Sequence, residues 1–230
     1  MLPIWTDGRR TTPLLTLLLL GFLLGLRHAT DPDHVVAVTT IVARERRLWA
    51  ASLVGAFWGL GHTVTIFVVG GAIILFDVVI PPRLGLGMEF AVAIMLVVLG
   101  VMNLAGVHAH LHRPPSSPPP RIGLRPLVIG VVHGLAGSAA VTLLVLATIH
   151  DARWALLYLA VFGVGTVAGM MALTTALGLP FAYASRRFDR IQAWLAGATG
   201  LASVAFGGLL AYELVFVRGL LSAAPRWSPQ

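Results

Sequence analysis

The 230-residue chain has no cysteine and no lysine, and only 11% of its residues are charged, against roughly 25% in a soluble domain. Without cysteine, disulfides, thiol relays and thiolate metal sites are excluded. His, Asp, Glu, Met and backbone oxygen remain as ligands for any metal. That absence says nothing of compartment, but it removes membrane thiol–disulfide carriers from the functions open to a chain of this size. Aromatic residues are also few, at 8%, and the net charge of +7 comes from sixteen arginines spread over short loops, with no basic stripe interleaved with aromatics. Nucleic acid is therefore a poor partner. No Walker sequence, HExxH pair or nucleophile elbow occurs.

What fills the space is apolar: 57% of residues are hydrophobic and the mean hydropathy is +0.89. At about twenty apolar residues per crossing, the expected fold is all-α and polytopic in the lipid bilayer. Six transmembrane helices are expected over 14–43, 49–76, 89–107, 125–149, 154–180 and 191–217. The His/Pro-rich stretch 108–124, HAHLHRPPSSPPPR and its flank, divides two three-helix halves, 1–107 and 125–230. Loops on the side of that linker carry nine arginines and the opposite side six, so the positive-inside rule puts the linker in the cytoplasm and both termini outside.

Arg27 to His34, RHATDPDH, sets an arginine, two histidines and two aspartates into the first apolar run. Ionisable groups at bilayer depth cost several kcal/mol, of order 3 or more, unless they pair, bind an ion or face water. On an ideal helix His28, Asp31 and His34 share a stripe about 120° wide, while Asp33 points elsewhere. Pro32 has no N–H for the carbonyl of His28, so the helix is expected to kink or unwind. Asp33 and the freed backbone oxygen could then turn toward the imidazoles, as in the discontinuous helices of transporters. Imidazole with carboxylate suits nickel, cobalt or zinc. Reading Arg9 to Ala29 as a signal peptide fails, because Arg27 stands where a small residue is needed before a cut and the apolar pattern resumes at Val35.

RHATDPDH followed by valine resembles the His-x4-Asp-His signature of the nickel/cobalt transporter superfamily, usually RHAxDADH and an aliphatic residue, with Pro32 where alanine is common. FWGLGHTVT in the second helix resembles that family's second motif, a Leu-Gly-His-Ser/Thr run, and marks His62. The later helices of the best-known members carry acidic motifs that are absent here, where GLAGSAAV and GMMALTTALG stand instead. The chain is thus most similar to the short six-helix branch of urease-accessory-type membrane proteins, with His133 the replacement ligand. The second half echoes the first weakly, His133 with His28 and FGVGTVAGM with FWGLGHTV, which admits an inverted repeat with the site at midplane. Gly130, Gly134 and Gly137 would pack the fourth helix tightly, and Ser138 and Thr142 would face the cavity.

The resemblance implies a secondary permease for Ni²⁺ and/or Co²⁺ in a prokaryotic cytoplasmic membrane, uptake preferred, with metal ligands among His28, Asp31, Asp33, His34, His62 and His133. The ion is cargo; no resident cofactor is expected, and the chain is not expected to be an enzyme. A non-transporting membrane factor for metal delivery or for urease or hydrogenase assembly is the alternative, with an intramembrane metalloenzyme behind it. A homo-oligomer or an accessory metallochaperone fits as protein partner, and His108, His110 and His112 could contact metal on the cytoplasmic side.

Overall fold

The computed structural model describes residues 11–43, 45, 47–76, 78–110, 124–149, 151–187 and 189–227. They form seven α-helices, with no strand among the described residues: α1 Thr11–His28, α2 Pro32–Val42, α3 Leu48–Phe76, α4 Pro82–His110, α5 Arg125–Thr148, α6 Ala152–Arg187 and α7 Asp189–Tyr212. Among the described residues, α3, α4, α6 and α7 are long and apolar enough to cross a membrane. Their outer faces carry bare Leu60, Val64, Phe67, Val68, Val98, Val164 and Leu201, a distribution that suits lipid and not water.

Six spans were expected where seven helices occur, because the first run is two helices separated by Ala29–Asp31. Pro32 opens α2 at its first turn, where a missing N–H matters least, and Asp31 is its extended N-cap residue at φ −61 and ψ 146. The carbonyl of His28, expected to be freed, instead accepts the amide of Asp31 at 3.1 Å, while Thr30 N–H returns to Arg27 O at 2.8 Å. Backbone closes the turn on itself, so side chains are left to act at the break.

Two other expected boundaries move. α4 begins at Pro82 instead of Glu89, since prolines at a helix start are preorganised for it, and α6 continues through Pro180 to Arg187. α4 also runs on through His110, so the first residues of the expected linker are helical, while 111–123, with His112, lies outside the described residues. The side chains of His108, His110, Ser138 and Thr142 lie outside them too.

α3 packs on both α5 and α6, α1 packs on α6, and α4 packs on α7; α2 touches α6, α7 and α4. Glycines set the closest of these approaches. A side chain at Gly25 would collide with Phe162 O and lie 2.8 Å from Thr166 N, and one at Gly130 would collide with Trp58 O and lie 2.9 Å from His62 N. Beyond α7 a π-helical turn, Glu213–Val217, brings Arg218 onto Glu213 at 2.9 Å and Glu89 at 3.3 Å. The tail then returns so that Trp227 Nε1–H donates to Glu89 Oε1 at 2.9 Å.

Candidate metal centre

The break between α1 and α2 is where the histidines meet. His28 ends α1, Asp33 and His34 lie in the first turn of α2, His62 is in mid-α3 and His133 is in α5. His34, His62 and His133 are 2%, 0% and 1% exposed, and Asp33 is one-third exposed. Ring centroids lie 4.7 Å apart for His28 and His34, 5.0 Å for His34 and His62, and 4.2 Å for His34 and His133. The approach of α5 to α3 at Gly130, and of α1 to α6 at Gly25, allows imidazoles from separate helices to come this close.

The carboxylates dictate the tautomers. Asp33 accepts from His34 Nδ1–H at 3.0 Å and from His133 Nε2–H at 2.9 Å. An ionised carboxylate only accepts, so both protons are on those nitrogens, and His34 Nε2 and His133 Nδ1 are lone pairs. Asp31 holds His28 Nδ1–H at 2.8 Å in the same way, leaving His28 Nε2 as an acceptor for His62 Nε2–H at 2.9 Å. Among the described residues, His34 Nε2, His62 Nδ1 and His133 Nδ1 are fully buried without a hydrogen-bond partner. Leaving such atoms unsatisfied costs about 1–3 kcal/mol each. Lone pairs buried at that cost, beside a carboxylate, form a donor set for a dication of intermediate softness.

Of the residues singled out from sequence, His28, Asp33, His34, His62 and His133 are thus brought together. Asp31 is not within the cluster: its carboxylate, 47% exposed, stands behind His28 and fixes that ring, the position of an outer partner that orients a ligand. Trp58 was missed. It is wholly buried, with its ring 5.4 Å from that of His34 and 5.5 Å from that of His133. Its place four residues before His62, on the same helical face, was the available signal. Trp49 and Trp194, by contrast, are exposed near helix ends, as an interfacial belt requires.

The chain is 41% identical over 218 residues to the urease accessory protein UreH of Bacillus sp. (strain TB-90), a match covering 90% of this chain and 95% of that protein. The chain belongs to the UreH family. Two Arabidopsis thaliana proteins, Chloroplast protein FOR GROWTH AND FERTILITY 2 and Chloroplast protein FOR GROWTH AND FERTILITY 1, are each 26% identical to this UreH-family chain, over 214 and 210 residues. Those matches cover 85% and 81% of the chain and 56% of each plant protein. No family model and no solved structure matches it.

Proposed function

We propose that this UreH-family chain is a secondary permease that carries Ni²⁺, with Co²⁺ as a second substrate, inward across a prokaryotic cytoplasmic membrane, and that it is not an enzyme. One observation carries the reading: four imidazoles and a carboxylate, contributed by α1, α2, α3 and α5, converge on a helix break in a chain of lipid-facing helices. Borderline nitrogen donors with one carboxylate favour late first-row dications over Mg²⁺ or Ca²⁺, which prefer oxygen. His28, His34, His62, His133 and Asp33 hold the ion, and Asp31 orients His28. The signature shared with the nickel/cobalt transporter superfamily and the urease accessory role in the relative's name both favour nickel.

An inverted repeat fits the packing. The α1–α6 contact at Gly25 and the α5–α3 contact at Gly130 meet the same pair of backbone groups, a carbonyl and an amide four residues later. Exchanging α1 with α5, and α3 with α6, carries one contact onto the other. With three crossings per half, the relating axis lies in the membrane plane, the arrangement of transporters that open alternately to either side. The excess of arginines on the linker side supports termini outside and a linker in the cytoplasm.

Purified protein in liposomes, supplied with Ni²⁺ or Co²⁺ under an inside-negative potential, should accumulate the ion. His28→Ala, Asp33→Ala, His34→Ala and His62→Ala should abolish the flux. Metal binding without flux would overturn transport and leave a membrane metal-delivery or assembly factor, and wild-type flux in all four variants would overturn the site.

A further inference from the structure

The five converging side chains divide into two overlapping sets. His28, His34 and His62 bring one ligand atom each within 4.8 Å of one another, and so do Asp33, His34 and His133. His34 alone belongs to both. Its Nδ1 is committed to Asp33 at 3.0 Å, which leaves the buried, unpartnered Nε2 for the other set.

The repeated glycine contact also relates the two sets. His28 follows Gly25 by three residues, and His133 follows Gly130 by three. Because those glycines make equivalent contacts with α6 and α3, His28 and His133 stand at corresponding positions, one in each half, with their rings 4.7 Å and 4.2 Å from that of His34. An axis in the membrane plane makes such counterparts face opposite sides of the bilayer.

We propose that the centre contains two cation seats, one on His28, His34 and His62 and one on Asp33, His34 and His133, and that a single Ni²⁺ or Co²⁺ crosses by moving from one to the other, with His34 the ligand common to both. The movement rests on the permease reading above; the two seats do not. Each seat offers three protein ligands, the second once the protons that His34 Nδ1 and His133 Nε2 donate to Asp33 have moved to the opposite ring nitrogens, and each leaves positions for water or for the incoming ligand, as exchange requires. Two ions at once are disfavoured, because dications that close repel strongly and the seats compete for His34.

The test uses the full-length protein in detergent, titrated with Co²⁺ and followed by its visible ligand-field absorption, with X-ray absorption counting the imidazoles. Wild type should bind one ion per chain. His133→Ala and His62→Ala should each still bind one ion, and because the wild-type association constant is the sum over the two seats, at least one of them should stay within about twofold of wild type. Their spectra should differ: three imidazoles in His133→Ala, two imidazoles and a carboxylate in His62→Ala. His34→Ala strikes both seats and should bind more weakly than either. Gln variants at the same positions replace any Ala variant that does not remain monodisperse. Two ions per wild-type chain, one spectrum common to both seat variants, or a His34→Ala affinity no worse than theirs would each overturn the proposal. Distinct seat spectra without flux in liposomes would sink the permease and the crossing but keep the seats; flux with a single shared spectrum would do the reverse.

Discussion

Replacing Gly130 by alanine places a methyl group where α5 lies against α3, in collision with Trp58 O and 2.9 Å from His62 N. Backbone cannot rotate aside as a side chain can, so the two helices must part by on the order of 1 Å to restore ordinary contact. Overpacking of this kind costs about 1–3 kcal/mol. An alanine in a helix interior recovers about 1 kcal/mol of propensity over glycine, so the net loss should be about 0–2 kcal/mol. The larger effect is geometric. His133, three residues on, is held to Asp33 at 2.9 Å, and a displacement of about 1 Å takes that pair beyond hydrogen-bonding reach. Metal affinity should therefore fall by more than the stability does. Gly208 supplies the control, since a side chain there meets nothing within 4 Å, and Gly208→Ala should be neutral or stabilising by up to about 1 kcal/mol. Thermal unfolding in detergent and Ni²⁺ titration of both variants decide the matter. Equal melting temperatures and equal affinities for Gly130→Ala and Gly208→Ala would refute the close approach as the element that sets His133.

Asp31→Asn should retain metal binding but weaken it about ten- to a hundredfold, the usual effect of losing an orienting partner; an affinity equal to wild type in a calorimetric titration would show that His28 needs no support. Nickel binding should weaken in acid, because imidazole must be unprotonated to bind; titrations repeated at descending pH check the sign, and binding that does not fall in acid would exclude the imidazoles. Trp58→Ala should destabilise by about 3–5 kcal/mol through the cavity it leaves, with Trp58→Phe losing less, as read from melting curves. Arg218→Ala strands Glu89 and Glu213 far from the centre, so melting temperature should fall while Ni²⁺ affinity stays at the wild-type value; a parallel loss of affinity would mean that the tail and the centre are coupled.

Much of the architecture is legible in the chain because a bilayer imposes few options. Apolar length marks the helices, and Pro32 inside an apolar run marks the break. The clustering of His28, Asp33 and His34 was readable for the same reason: charge at that depth needs an explanation. What could not be read is which face of each helix turns inward. Lipid-facing Val64 and buried Ile66 are equally apolar, so hydropathy does not separate core from lipid as it separates core from water. Trp58 was missed on that account. Asp31 stands outside the cluster because the helix on which it would share the stripe of His28 and His34 stops at His28, and its carboxylate lies on the Nδ1 side of that ring. The ends of α4 and α6 moved because proline and glycine, read as boundaries, are tolerated where neighbouring helices support the backbone.

The break also sets two helix ends against each other. The last turn of α1 offers its carbonyl end and the first turn of α2 its amide end, equivalent to about half a negative and half a positive charge. A cation beside His28 meets the attractive end; beside Asp33 it meets the repulsive one, which the carboxylate's full charge more than offsets. The two flanks thus present different potentials to a bound cation, so that an interrupted helix makes the centre electrostatically asymmetric before any membrane voltage is applied.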